Sequence, residues 1–145
     1  MKDINRFEVA KMIEMAAEAR ERAYAPYSHF RVGACLKAAS GAYYLGCNIE
    51  NAGFTPTNCA ERTAMFKAIY ERERSFEAIA VISDSNGYVS PCGVCRQVLS
   101  EFCDDDMPVI LAAANGDYKI VSLGELLPLA FGSADMNNST NKDNR

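Results

Sequence analysis

Tryptophan is absent and histidine occurs once, at His29. Any metal or proton-transfer site in this chain must therefore draw mainly on cysteine and carboxylate. No apolar run approaches the roughly 20 residues that span a bilayer, so no membrane-crossing helix and no membrane partner are expected. Residues 1–22 carry acids and bases throughout and lack the apolar centre of a signal peptide, which makes the cytoplasm the expected compartment. Basic charge is not in excess either. Lys and Arg number 15 against 19 Asp and Glu, a formal charge of −4. A polynucleotide binder usually shows a basic face, and the one dense cluster, Glu71-Arg72-Glu73-Arg74, is neutralised by its own acids, so nucleic acid is not an expected partner. There are no internal repeats.

What is present suits one domain. The 145 residues are 49% hydrophobic and 23% charged, long enough and apolar enough to bury a core. One domain is expected over residues 1–132, followed by an Asn-, Ser- and Asp-rich tail, residues 133–145, without order. The glycosylation-like Asn138-Ser139-Thr140 in that tail is read as chance.

Asn5 and Glu8 form a capping-box start, and apolar residues then recur at helical spacing to about Arg22, with Pro26 ending the element. Phe30, Val32, Ala34 and Leu36 alternate as one face of a strand, and Ser40-Gly41 turns the chain into a second strand ending at Cys47. After an Asn-, Gly- and Pro-containing loop, a helix is expected from Asn58 to Arg72. The continuous apolar run of Phe76 to Ser83 predicts a buried central strand. Ser90 is a possible cap, and Pro91 suits the first turn, of a helix running to Phe102. Strands follow at Met107–Ala113 and Tyr118–Val121, joined by Asn115-Gly116-Asp117. Ser122 with Glu125 signals a final helix to about Phe131. This order predicts an α/β fold, a three-layer α/β/α sandwich around a mixed five-stranded sheet.

The chain has six cysteines. With no signal peptide and a well-built core, metal ligation is a better reading than disulfides. Cys35, Cys47 and Cys103 are read as small buried hydrophobes. The other three stand in Cys59-Ala60-Glu61 and Pro91-Cys92-Gly93-Val94-Cys95, each at an expected helix start. Helix N-termini favour thiolates, and Cys-x-x-Cys places both sulfurs on one side of a first turn. Three ligands rather than four leave a zinc ion open to water, whereas structural sites are normally closed. His29, beside Phe30 at an expected strand start, could close the site as a fourth ligand, although a partly exposed strand or loop histidine is the preferred reading. Three thiolates leave the centre negatively charged. Arg62 and Arg96 could offset this by donating to sulfur; the alternative, surface arginines, is as good for Arg62 and better for Arg96. Cys-x-x-Cys alone is a weak signal, but with Cys-Ala-Glu and an intervening strand it is the pattern of zinc deaminases.

Over Phe7 to Phe131 the chain resembles cytidine deaminases of the small, homotetrameric, three-cysteine type. The resemblance is carried by Tyr27-Ser28-His29-Phe30-Arg31-Val32-Gly33-Ala34, Asn48-Ile49-Glu50-Asn51-Ala52, Cys59-Ala60-Glu61-Arg62-Thr63-Ala64, Pro91-Cys92-Gly93-Val94-Cys95-Arg96-Gln97 and Leu126-Leu127-Pro128-Leu129-Ala130-Phe131. It implies one Zn2+ per subunit on Cys59, Cys92 and Cys95, with Glu61 as the catalytic acid and base. It further implies ribose hydroxyls held by Asn48 and Glu50, a pyrimidine packed on Phe30 with its carbonyl on the Ala60 N–H, and Phe131 reaching a neighbouring subunit's site. The implied reaction is hydrolytic deamination of cytidine or deoxycytidine, free nucleosides of pyrimidine salvage, by a homotetramer with sites at subunit interfaces. Phe54 departs from the pattern, since tyrosine is frequent there. The rival readings are a deaminase of another cytosine nucleoside such as blasticidin S, a polynucleotide editor, and a closed zinc module without activity.

Overall fold

The structure, a computed structural model, describes residues 1–140. Helix α1 (Arg6–Arg20) begins where Asn5 Oδ1 accepts from the Glu8 N–H at 2.9 Å. Strands β1 (Val32–Ala38) and β2 (Tyr43–Cys47) follow, then α2 (Ala60–Tyr70), β3 (Phe76–Ser83), α3 (Gly93–Phe102), β4 (Pro108–Ala112), β5 (Tyr118–Ser122), α4 (Leu123–Leu126) and α5 (Ser133–Thr140). The sheet runs β2-β1-β3-β4-β5. Only β3 and β4 are parallel, and α3 crosses between them, so the sheet is mixed as expected.

The apolar run of β3 is divided between two cores. Ala78, Ala80 and Ile82 meet Val9, Met12 and Ala16 of α1 on one face. Ile79 and Val81 meet Ala64, Met65 and Ala68 of α2 and Leu99 of α3 on the other. Burial on both faces explains why β3 reads as continuous rather than alternating. The helices approach the sheet closely at two glycines. A Cβ on Gly33 would lie 2.0 Å from the Ala16 carbonyl of α1, and one on Gly46 would lie 2.2 Å from the Ala60 carbonyl of α2. Among the described residues, no helix is long and apolar enough to cross a membrane.

Four expectations are corrected. Phe30 stands before β1 rather than in it. The helix capped by Ser122 stops at Leu126 instead of reaching Phe131, because Pro128 bars the residue before it from helical conformation. Ser90 does not cap α3; Cys92 does, with extended backbone at ψ 164, and Pro91 lies outside the helix. The tail contains α5, started by Asp135, whose carboxylate accepts from the Gly132 N–H at 2.8 Å; acidic residues favour a helix start. The last part of the tail, 141–145, lies outside the described residues.

Candidate active site

The three sulfurs converge because two helix starts meet on one side of the sheet. Cys59 caps α2 and Cys92 caps α3, neither using its side chain to do so, while Cys95 lies buried in the first turn of α3. Antiparallel bonds between Ile49 and Asn58, both at 2.9 Å, fix the chain entering α2. The Asn58 amide donates to Thr63 Oγ1, and that hydroxyl donates to the Cys59 carbonyl. The Cys59 and Cys92 sulfurs are 3.8 Å apart, Cys92 and Cys95 3.4 Å, and all three lie within 4.8 Å of one another. Tetrahedral zinc with bonds of about 2.3 Å separates its sulfurs by about 3.8 Å, so the donor set and its spacing fit zinc. Among the described residues this is the only such group of potential metal ligands, and His29, exposed on the loop before β1, is not part of it.

The cysteines are unequal. The Cys59 thiol is brought down to about 5, by hydrogen bonding from Cys95 foremost and then from Arg62, against its burial. Cys95, which donates to Cys59, is pushed up by that role and by burial. Arg62 Nη2 donates to the Cys59 sulfur at 3.3 Å, which decides its alternative in favour of a sulfur partner. Arg96 fits neither reading: its guanidinium holds Pro91, Leu126 and Ser90. Of the remaining cysteines, only Cys35 is fully buried; Cys47 and Cys103 are half-buried. Burial pushes the Cys35 and Cys103 thiols up to about 12.

Glu61, in the first turn of α2, is 4% exposed. Burial, reinforced by the Cys59 charge, raises its carboxyl above the ordinary range, a setting in which a carboxyl can hold a proton and pass it on. It faces a cleft of about 260 Å³ that also reaches Cys59, Cys92, Phe30, Asn48 and Glu50. The cleft brings together the expected substrate contacts except Phe131, which is exposed elsewhere with its carbonyl accepting from Gln97 Nε2. Ala60 is buried at the first position of α2, where an N–H has no partner within the helix.

Asn48 and Glu50 are each partly committed. The Asn48 amide accepts from the Val32 N–H and donates to the Phe30 carbonyl, both at 2.8 Å. One Glu50 oxygen accepts from the Tyr27 and Ser28 N–H groups, and hydrogen bonding by Ser28 leads in lowering its pKa. The sequence reading missed Ser28, Asn58 and Ser90, which also line the cleft. For Asn58 there was a signal, its place directly before Cys59. Phe54, exposed and with φ 55, borders a wider neighbouring hollow with Tyr27 and Glu50.

A family model described as the cytidine and deoxycytidylate deaminase zinc-binding region matches residues 8–111. A cytidine deaminase of Sporosarcina psychrophila is 53% identical over 129 residues, covering 89% of this chain and 95% of its own. One from Halalkalibacterium halodurans is 51% identical over 126 residues, 87% of this chain and 96% of its own. The crystal structure of a cytidine deaminase from Burkholderia pseudomallei superposes with a TM-score of 0.83 at 45% identity, covering 88% of this chain and 100% of that one. The model matches most of the chain, the relatives align along nearly their whole length, and the fold agrees: the chain belongs to the cytidine and deoxycytidylate deaminase family.

Proposed function

We propose that the protein deaminates free cytosine nucleosides, converting cytidine or deoxycytidine and water to uridine or deoxyuridine and ammonia. The observation that carries this reading is the buried Glu61 carboxyl beside the three-sulfur cluster, on the wall of a cleft sized for a small molecule. Zinc, when bound by Cys59, Cys92 and Cys95, supplies Lewis acidity that makes water a competent nucleophile near neutral pH. Glu61 takes a proton from the attacking water and gives it to ring nitrogen N3. It then carries the second proton to the exocyclic amino group, which leaves C4 as ammonia. Phe30 packs on the ring, the Ala60 N–H meets the ring carbonyl, and Asn48 with the free oxygen of Glu50 takes the ribose hydroxyls.

No Lys or Arg borders the cleft, whereas Glu50 and Glu61 do. That supports a nucleoside over a nucleotide or a polynucleotide, whose phosphates would meet negative charge. The large exposures of Phe54, Tyr70, Leu129 and Phe131 support assembly into a homotetramer in which Phe131 enters a neighbour's site. The cytoplasm and pyrimidine salvage are the proposed setting. An absorbance assay on cytidine, deoxycytidine and blasticidin S side by side tests the reading. Turnover of the first two with release of ammonia is expected; turnover of blasticidin S alone would overturn it.

A further inference from the structure

We propose that Arg96 is a positioning residue that locks the Cys92 turn to the segment leading to Phe131, an assignment that rests on the proposed deaminase reading. Its guanidinium uses three nitrogens on three acceptors, each at 2.7 Å: Nε on the Pro91 carbonyl, Nη1 on the Leu126 carbonyl and Nη2 on Ser90 Oγ. Ser90 and Cys92 both border the cleft, and Pro91 between them is buried. Besides the sulfur contacts of Cys92 and the Arg96 N–H on the Cys92 carbonyl, the hydrogen bonds reaching residues 88–92 among the described residues come from this guanidinium. Gln97, the next residue on α3, holds the Phe131 carbonyl at 2.9 Å. Two adjacent side chains thus fasten both ends of 126–131 to the helix that presents Cys92 and Cys95.

The geometry needs arginine. Three divergent acceptors in reach of one planar fork suit a guanidinium, whereas a lysine ammonium is a single point of charge. Loss of the fork frees the Cys92 backbone, so the sulfur is held less firmly, and supporting contacts of this kind commonly change metal affinity or activity by about 10–100-fold.

The test compares full-length, zinc-loaded wild type with Arg96→Lys and Arg96→Gln. The readouts are zinc release to a chelator, the absorption spectrum of the cobalt(II)-substituted protein, and kcat and KM for cytidine. Zinc release about 10-fold faster, an altered cobalt–thiolate band, and a fall in kcat larger than the change in KM are expected in both variants. Glu8→Gln, which removes a carboxylate contacting Tyr43 and Lys37 on the opposite face of the sheet, is expected to leave the cobalt band unchanged. If Arg96→Gln does not fold, Arg96→Lys decides, with Ser90→Ala showing a smaller shift of the same band. Wild-type zinc release and cobalt spectra in the folded Arg96 variants would overturn the assignment, as would an equal change in Glu8→Gln. These two readouts need no turnover, so a wild type that left cytidine untouched would sink the proposed function while still deciding the role of Arg96.

Discussion

The Arg62 guanidinium donates to the Cys59 sulfur across 3.3 Å, placing a fixed positive charge against a centre that carries three thiols. Bound zinc with three thiolates is net negative, which weakens its pull on water. Arg62 counters that charge from the same turn of α2 that bears Glu61. Arg62→Gln should therefore keep its zinc yet lose about 10–100-fold in kcat/KM. Metal analysis beside steady-state kinetics checks this, and an unchanged kcat with full zinc would show that the cation is dispensable.

Glu61 and Cys92 should fail in different ways. Glu61→Gln removes the proton carrier but no ligand, so zinc content and fold should persist while kcat falls by about 10²–10⁴-fold. Cys92→Ala removes a ligand, and the purified protein should contain little zinc. Near-normal turnover in the first variant, or full zinc in the second, would contradict the assigned roles.

Acid should destabilise the protein partly through Glu8. Its carboxylate accepts from the Tyr43 hydroxyl at 2.6 Å and pairs with Lys37 at 3.0 Å, and these contacts, Tyr43 foremost, lower its pKa. A carboxyl whose folded pKa is depressed contributes stability that is complete above its unfolded pKa of about 4.3 and is lost as pH falls through the folded value. Urea unfolding of wild type and Glu8→Gln should differ at pH 7 and converge as the pH is lowered towards 3. A gap that stays constant would mean that ionisation of Glu8 is not what stabilises.

Gly46 lets α2 lie against β2. An added Cβ would meet the Ala60 carbonyl at 2.2 Å and the Ala64 nitrogen at 2.6 Å, both backbone atoms. Gly46→Ala must displace the helix that carries Glu61 and is capped by Cys59, so stability should fall by about 1–3 kcal/mol and zinc retention with it. Gly87→Ala, whose Cβ would meet nothing closer than Ser85 Oγ at 3.6 Å, should stay within about 0.5 kcal/mol of wild type. Denaturant titration compares the two.

The parts of this protein visible in the sequence are those with a local physical cause. The Asn5–Glu8 and Ser122–Glu125 starts each rest on a side chain meeting an N–H three residues on, and β3 announced its two-sided burial by an unbroken apolar run. The cysteines were legible because their spacing is set by one helical turn. Arg96 was not, since its partners are two carbonyls and a hydroxyl, and every residue offers a carbonyl. Phe30 and Glu50 look ordinary in isolation. They reach one cleft only through loop 21–31, held by Glu50 on the Tyr27 and Ser28 amides and by Arg31 on Asp84 and Glu21.

Cys59 and Cys92 stand 33 residues apart along the chain and 3.8 Å apart in space. The stretch between them contains β3, the strand on which both cores rest. A zinc ion shared by the two thiolates is therefore also a clasp, closing a ring of polypeptide around the centre of the sheet. Ligands that bind only the folded chain stabilise it by mass action, about 1.4 kcal/mol for each tenfold rise in free ligand above its dissociation constant. The melting temperature should climb with free zinc, and zinc starvation should lower the protein's stability along with its activity.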